Sequence, residues 1–258
     1  MDLGIKGKTA LVTGGSRGLG KHAALSLAQE GVNVAICGRT QDTLDETVKE
    51  LEGLGVSSMS VIADVGDIST IESLHQQVVD GLGPIDILVN NVGGSRSRED
   101  ILGTSLDDFK ATFDLNLFGG FQLMKLAIPH MQEQKWGRII NIASIYGREH
   151  GGNIGYMSAK AALIGATKHA ANSLAKDGVL VNSIAPGSIS HEGGSWERFQ
   201  SQNPPDVVQS FIDQNLPMGR FGWPEPLGDL VAFLASERAS LVTGACIVVD
   251  GGQSHSMI

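Results

Sequence analysis

Tyr156 and Lys160 are the residues whose types and spacing most directly suggest chemistry in this sequence. Four positions apart in a predicted helix, they share one helical face. A phenol has a pKa near 10 and is protonated at neutral pH, but a neighbouring ammonium stabilises the phenolate. Lowering that pKa by roughly two to three units, about 3–4 kcal/mol, would make Tyr156 a proton donor and acceptor near physiological pH. The same spacing occurs by chance on exposed helices, so the pair needs supporting residues.

Ser144 is the first supporting residue. It follows an apolar segment predicted to be a strand and precedes Tyr156 by twelve positions. Ligands of parallel α/β sheets bind at the carboxyl ends of the strands. A hydroxyl group there can donate a hydrogen bond to a substrate oxygen, although a plain turn residue is the alternative.

A glycine-rich turn at residues 13–20 joins the first predicted strand to the first predicted helix. Its spacing is Gly-x-x-x-Gly-x-Gly, formed by Gly14, Gly18 and Gly20. Glycines permit a tight turn and let a pyrophosphate approach the helix N-terminus. The turn therefore predicts dinucleotide binding, with a tight connection that binds no ligand as the alternative.

The end of the second predicted strand indicates which dinucleotide is bound. NAD-binding proteins usually place an acid there for the ribose 2′-hydroxyl, whereas this strand ends in Gly38-Arg39. Arg39, with Arg17 in the glycine-rich turn, could bind a 2′-phosphate through contacts of about 1.5–3 kcal/mol each. We therefore predict NADP(H) over NAD(H), with a solvated surface position as the alternative for either arginine.

The elements that must position these residues alternate along the chain. Short apolar segments separated by helix-length stretches predict parallel strands joined by right-handed crossovers, and strands that are apolar throughout indicate a sheet covered on both faces. We predict an α/β protein with a single-domain doubly wound Rossmann fold over residues 1–258, a seven-stranded parallel sheet and helices on both faces. The predicted strands are 9–12, 33–37, 58–62, 85–89, 138–142, 179–184 and 246–249, and the predicted helices are 17–30, 40–54, 68–82, 106–134, 154–177 and 227–236.

Residues 188–222 contain no predicted strand and are rich in glycine and proline. A long segment without regular structure inside a compact domain is usually a functional lid or a disordered loop. We predict a substrate lid here, and Trp196, Phe199, Phe211 and Ile212 indicate that it makes apolar contacts.

Two further loops are candidates for the substrate mouth, 94–103 and 147–153. They carry Arg96, Arg98, Arg148 and His150, for each of which a solvated position is an equal alternative. His150, His191 and Glu192 have no metal-binding spacing, so no metal is predicted.

Composition narrows the classes of function. The chain has 258 residues, of which 41% are hydrophobic and 18% charged, as in ordinary globular proteins. A net charge of −9 argues against nucleic-acid binding, which needs a basic surface. Cys37 and Cys246 are expected to be buried thiols in predicted strands. Without a signal peptide or an apolar run of about 18 residues, we expect no membrane association and a cytoplasmic location.

Taken together, the motifs resemble those of the short-chain dehydrogenase/reductase family, in its compact branch, and of its members similar to 3-oxoacyl-[acyl-carrier-protein] reductase. The resemblance extends from Gly7 to Gly252. Its motifs, in chain order, are the turn at 13–20, Asp64-Val65, Asn90-Asn91-Val92-Gly93, Asn116, Ser144, Tyr156, Lys160 and Pro186-Gly187.

The resemblance implies a role for each residue of the catalytic set. Tyr156 would act as the general acid/base while hydride passes between a nicotinamide and a carbonyl or secondary alcohol. Lys160 would lower the pKa of Tyr156 and bind the nicotinamide ribose, and Ser144 would orient the carbonyl. Asn116 would hold a helix bulge and a water molecule for proton relay.

The resemblance also implies the cofactor contacts. Ile189 would offer its backbone to the carboxamide, whereas His191 replaces a threonine that is common in the family. The full set expected to contact NADP(H) is Gly14, Ser16, Arg17, Gly18, Leu19, Gly20, Arg39, Asp64, Val65, Asn90, Val92, Gly93, Tyr156, Lys160, Pro186, Gly187 and Ile189.

Three alternatives stay open at this point: an NAD-dependent alcohol dehydrogenase of the same family, a non-enzymatic dinucleotide sensor, and an epimerase or dehydratase. The last normally has a longer C-terminal domain and a different glycine spacing. A homotetramer or homodimer is implied by the resemblance, through helices 106–134 and 154–177. The carbonyl substrate is open among ketoacyl thioesters, steroids, sugars and small ketones.

Overall fold

The computed structural model describes residues 2–97 and 99–257. Within them, seven parallel strands form one sheet in the order β3-β2-β1-β4-β5-β6-β7. The prediction of a doubly wound parallel sheet is confirmed. Because the strand order changes direction between β1 and β4, a crevice opens at their carboxyl ends, where such sheets bind ligands. The strands are β1 Thr9–Thr13, β2 Asn33–Gly38, β3 Ser58–Ile62, β4 Ile87–Asn90, β5 Gly137–Ile142, β6 Val179–Pro186 and β7 Cys246–Val249.

Helices cover both faces of the sheet. Within β1, Val12 belongs to a core shared with α1, α2 and α9, whereas Leu11 belongs to a second core shared with α3, α5 and α6. This alternation buries both faces, which accounts for strands that are apolar throughout. The helices are α1 Gly18–Gln29, α2 Gln41–Gly53, α3 Ile71–Leu82, α4 Leu106–Phe113, α5 Gly119–Glu133, α6 Ile154–Leu174, α7 Ser195–Gln202, α8 Pro205–Asn215 and α9 Glu225–Ala235.

The helical region predicted over 106–134 is present from 106 to 133, but one turn of it is not α-helical. A π-helical turn, Asp114–Phe118, separates α4 from α5. The cause lies in its buried Asn116, whose amide Nδ2 donates to the Thr112 carbonyl (2.7 Å) and to the Gly94 carbonyl (2.6 Å). The bulge that the family resemblance implied at Asn116 is present, although apolar periodicity could not locate it.

Segment 188–222 is also more ordered than predicted. It contains α7 and α8, and a parallel bridge pairs Ile189 with Gly222. Its glycines and prolines mark helix ends, since Gly194 is the N-cap of α7 and Pro204 that of α8. These glycines and prolines mark the starts of helices and do not indicate an unstructured loop.

The aromatic residues of this segment pack on one another. The ring centroids of Trp196, Phe199, Phe211 and Phe221 are 4.9–6.4 Å apart. The segment therefore has a small apolar cluster of its own, and the apolar contacts predicted for Trp196, Phe199 and Phe211 are largely internal.

Both cysteines are free thiols. Cys37 is buried, and burial raises its pKa to about 12, so it is not a nucleophile. Among the described residues, no helix has the length and apolar character needed to cross a membrane. No cluster of three metal-ligating side chains occurs in that part of the chain either.

Candidate active site

The glycine-rich turn lies at the carboxyl end of β1. Gly14 and Gly18 have φ of +66° and +55°, a region that favours glycine. A Cβ on Gly20 would stand 2.3 Å from the Gly14 carbonyl oxygen, so the turn closes tightly only with glycine there. The helix starts at Gly18, which leaves the first amides, including that of Leu19, without intrahelical partners. This cradle fits a pyrophosphate.

Asn91 fixes this turn to the neighbouring strand β4. Its Nδ2 donates to the carbonyls of Thr13 (2.9 Å) and Gly14 (3.3 Å). The Thr13 hydroxyl oxygen in turn accepts hydrogen bonds from the Asn91 and Val92 amides, at 2.9 and 3.1 Å. Asn91 was not among the predicted site residues, although its place in the Asn-Asn-Val-Gly motif was a signal for it.

The end of β2 forms the adenosine side of the crevice. Arg39 stands there with 66% of its side chain exposed, and its Nη1 lies 3.9 Å from Asp64 Oδ2. Ser16 approaches Gly38, with its Oγ 3.5 Å from the position a Cβ would take. Val65, the residue after Asp64, is buried. A cationic group beside a strand end without an acid suits a 2′-phosphate.

Arg17 extends in another direction. Its Nη1 lies 2.8 Å from the position that a Cβ on Gly193 would take. The guanidinium therefore contacts segment 188–222, which spacing in the sequence did not indicate.

The opposite side of the crevice is formed by the end of β6. A Cβ on Gly187, which follows Pro186, would stand 2.6 Å from the Asp250 Cβ, so the chain passes close to β7 there. The Ile189 amide donates to the Gly187 carbonyl at 3.0 Å. The His191 ring then lies against the Gly18 backbone, 2.5 Å from a Cβ position. Segment 188–222 thus begins directly over the glycine-rich turn.

Lys160 lies inside the protein. It is 1% exposed, and its Nζ donates to the Ile142 carbonyl at 2.7 Å. Burial lowers the pKa of Lys160 to about 7. Gly93 faces it, since a Cβ there would lie 2.8 Å from Nζ and 2.9 Å from Asn116 Oδ1. Only a residue without a side chain fits between these two groups.

Tyr156 lies in the first turn of α6, where its amide donates to Oδ1 of the N-cap residue Asn153 (3.1 Å). Lys160 Nζ lies 5.6 Å from the centre of the Tyr156 ring. Burial raises the pKa of the Tyr156 phenol, and a hydrogen bond with Ser144 lowers it by less. The expectation of a pKa below the usual value is therefore not met here, because burial of the phenol outweighs its bond with Ser144.

Ser144 is oriented by the turn that follows it. The Tyr146 amide donates to Ser144 Oγ at 3.2 Å. Since that bond uses the oxygen as acceptor, the Ser144 hydroxyl hydrogen can be donated towards Tyr156 or a substrate oxygen.

Two asparagines hold the floor of the site. Asn116 Oδ1 accepts from the Gly94 amide at 3.1 Å, which completes its clamp on the 94 loop. Asn90, expected to contact the cofactor, is 6% exposed and donates to Asn141 Oδ1 at 2.9 Å. Its own buried Oδ1 has no hydrogen-bond partner in the described part of the chain. The Asn90 side chain thus joins β4 to β5.

The predicted substrate mouth is only partly formed by the predicted residues. Arg96 Nη2 lies near Gly66, 3.3 Å from a Cβ position, and Arg148 Nη1 donates to the Cys246 carbonyl at 3.3 Å. Arg98 lies outside the described residues. His150 does line a cavity of about 630 Å³, with Glu99, Asp100 and Asn153.

Known proteins resemble this chain in sequence over nearly its whole length. The family model described as enoyl-(acyl carrier protein) reductase matches residues 14–254. A 3-oxoacyl-[acyl-carrier-protein] reductase of Staphylococcus aureus is 36% identical over 247 residues, which cover 95% of this chain and 97% of that protein. The (2S)-[(R)-hydroxy(phenyl)methyl]succinyl-CoA dehydrogenase subunit of Thauera aromatica is 34% identical over 252 residues, 98% of each chain.

A solved structure agrees over the whole chain. The L-sorbose reductase from Gluconobacter frateurii, complexed with NADPH and L-sorbose, superposes with a TM-score of 0.92 at 33% identity and 100% coverage of both chains. The fold and these likenesses define an oxidoreductase that acts on a C=O or CH–OH group. The chain belongs to the short-chain dehydrogenase/reductase family and is similar to its 3-oxoacyl-[acyl-carrier-protein] reductases.

Proposed function

We propose that the protein reduces a carbonyl to a secondary alcohol, and catalyses the reverse reaction, with NADP(H) as cofactor and Tyr156 as the general acid/base. The observation that carries the proposal is the convergence of Tyr156, Ser144 and Lys160 at the carboxyl end of β5. Lys160 Nζ bonds the last residue of that strand, and Ser144 follows it two positions later.

NADP(H) is favoured by Arg39 at the end of β2, a strand end that carries no acid of its own, and by the NADPH bound to the sorbose reductase. The residues that would hold it are the glycine-rich turn at the pyrophosphate, Arg39 with Ser16 at the 2′-phosphate, and Ile189 with Lys160 at the nicotinamide end. When bound, the cofactor supplies or accepts a hydride.

The protein's own residues manage the proton. Ser144 donates a hydrogen bond to the substrate carbonyl oxygen and orients the carbonyl. As the new C–H bond forms, the π electrons of the C=O bond move to oxygen, and the Tyr156 hydroxyl gives its proton to that oxygen. The raised pKa of Tyr156 keeps the phenol protonated beforehand, which is the form that reduction needs.

Regeneration of the phenol follows from the neighbours of Lys160. The tyrosinate left after reduction is stabilised when Lys160 is charged. Lys160 also adjoins Gly93 and Asn116, and we assign Asn116 the support of a water path through which the proton is replaced.

Segment 188–222 acts as the substrate lid in this proposal. Its first residues lie over the glycine-rich turn, where a bound cofactor would meet them. We further propose a homotetramer or homodimer, because the helical stretch 106–133 presents exposed apolar side chains at Leu106, Phe118 and Phe121. A cytoplasmic location also stays part of the proposal.

The test is Tyr156→Phe, which keeps the ring and removes only the hydroxyl. We expect NADPH-dependent reduction across a panel of ketones to fall at least a hundredfold, while NADPH affinity in a fluorescence titration stays within about twofold, since general acid catalysis contributes roughly 10²–10⁴-fold. Unchanged turnover would refute Tyr156 as the acid. Tight NADPH binding by the wild type without reduction of any carbonyl would favour a dinucleotide sensor.

A further inference from the structure

Tyr146, the second tyrosine of the chain, lies beside Tyr156. It occupies the middle of a 3₁₀ turn, Ile145–Gly147, that directly follows Ser144. A Cβ on Gly152 would stand 3.2 Å from Tyr146 Cδ2 and 3.7 Å from Tyr156 Cδ1, so the two rings flank this one glycine. Two phenols therefore border the place where the substrate carbonyl must lie.

The protein makes room for the Tyr146 ring. A Cβ on Gly151 would stand 2.1 Å from Tyr146 Cε1, which any larger residue would displace. The backbone amide of Tyr146 bonds Ser144, which fixes the root of the side chain. The ring position is thus determined from both ends.

The Tyr146 hydroxyl has no hydrogen-bond partner within residues 2–97 and 99–257, although the side chain is half-buried. A partly buried phenol normally finds a partner. Burial, and to a smaller extent the charge of Glu149, raises its pKa. The group is therefore a protonated donor that is available to a ligand.

Glu149 makes the surrounding loop rigid. One carboxylate oxygen, Oε2, accepts from the Ser254 hydroxyl (3.0 Å) and from the His255 and Ser256 amides (both 2.8 Å). The loop that carries Gly151 and Gly152 is tied in this way to the 254–256 segment. A donor on a fixed loop loses little freedom when it binds.

The space next to Tyr146 offers polar groups among apolar ones. Gly152 also lines the cavity of about 630 Å³, whose wall contains the polar residues His150, Asn153, Glu99 and Asp100 and the apolar residues Ile101, Ile154 and Met157. The polar members of this wall suit a small substrate that carries hydroxyl groups.

We propose that Tyr146 is a specificity-determining residue that donates a hydrogen bond to a hydroxyl next to the substrate carbonyl, so that the preferred substrates are small hydroxyketones. The inference rests on the proposed function, because it names the substrate class of the same site.

The test compares ketones that differ only by a hydroxyl in place of a methyl group, 1-hydroxy-2-butanone and 3-pentanone. With wild-type enzyme and NADPH, we expect the hydroxyketone to have the higher kcat/KM by about tenfold or more, because the analogue leaves the donor unpaired. In Tyr146→Phe this preference should fall by about tenfold, mainly through a raised KM for the hydroxyketone, while kcat/KM for 3-pentanone stays within about twofold. Ile145→Val, in the same turn, serves as a control and should keep the wild-type preference.

Each outcome decides a different question. A preference that is equal in the wild type and Tyr146→Phe, with both ketones reduced, overturns the role of Tyr146 and leaves the proposed function intact. A parallel loss for both ketones in Tyr146→Phe means a structural role and also overturns it. A wild type that reduces neither ketone refutes the hydroxyketone class, whereas persistent turnover in Tyr156→Phe refutes the proposed function itself.

Discussion

Lys160 Nζ donates to the Ile142 carbonyl at 2.7 Å from a position that is 1% exposed. The bond links the first turns of α6 to the last residue of β5, and so helps to hold Tyr156 within hydrogen-bond distance of Ser144. The same burial lowers the pKa of Lys160 to about 7. One side chain therefore both positions the site and carries a cost in stability when it is charged.

That cost predicts a pH dependence of folding. The folded-state pKa of Lys160 is about 7, against its ordinary value of 10.5, so between these values the unfolded chain binds more protons. Stability then rises with pH across this window, by up to about 1.4 kcal/mol per pH unit. We expect the free energy of unfolding of the wild type to increase relative to that of Lys160→Met between pH 7.5 and 9.5, measured by urea denaturation.

Lys168→Met is the control, because Lys168 lies exposed on the same helix. Its stability should follow the wild type at every pH. Curves for the wild type and Lys160→Met that run parallel would show that Lys160 does not titrate in this window.

Gly93 predicts a second effect. Alanine there would place a Cβ 2.8 Å from Lys160 Nζ and 2.9 Å from Asn116 Oδ1. Displacement of these groups by a fraction of an ångström should lower kcat by roughly tenfold to a hundredfold, with a much smaller change in the Kd for NADPH. Steady-state kinetics on any accepted ketone would measure it.

A matched glycine tests the explanation by steric conflict. Gly165, in the interior of α6, has nothing within 4 Å of its Cβ position. Gly165→Ala should leave kcat unchanged and raise stability by about 0.5–1 kcal/mol. Equal kcat values for Gly93→Ala and the wild type would contradict the proposed fit around Lys160.

Arg39 and Arg17 predict different effects on cofactor choice. Arg39→Ser should weaken NADPH binding by at least about tenfold, the value of a charge-assisted contact, and leave NADH binding unchanged. Arg17→Ser should weaken the binding of NADPH and NADH to the same extent. Arg17 contacts Gly193 in the lid, so its loss acts on the lid and not on the 2′-phosphate. Fluorescence titrations with both nucleotides separate the two cases. A wild type that binds NADH as well as NADPH would exclude a 2′-phosphate site at Arg39.

The sheet, and the strand ends at which the candidate site residues lie, could be predicted from the sequence, because both depend on local patterns. Continuous apolar segments indicated buried parallel strands, and the strand ends located the glycine-rich turn and Ser144. The π turn at Asn116 was not predictable from periodicity, because it depends on a side chain that bonds the distant Gly94 backbone.

The remaining differences have the same origin in tertiary contacts. Arg17 and Arg39 were predicted to bind the same 2′-phosphate, yet Arg17 contacts Gly193, which is far along the chain. The pKa of Tyr156 depends on burial, which spacing to Lys160 does not reveal. No motif indicated the role proposed for Tyr146, because that role depends on two glycines that let its ring lie beside Tyr156.

The ring cluster of Trp196, Phe199, Phe211 and Phe221 joins α7, α8 and the end of the lid. Because each ring packs on the others, the lid has a small apolar core of its own and is expected to open as one cooperative unit. Access to the crevice is then an all-or-none event, not a gradual loosening. Evolution can accordingly vary the outer surface of α7 and α8, and with it the partners and substrates they meet, while the catalytic sheet beneath stays the same.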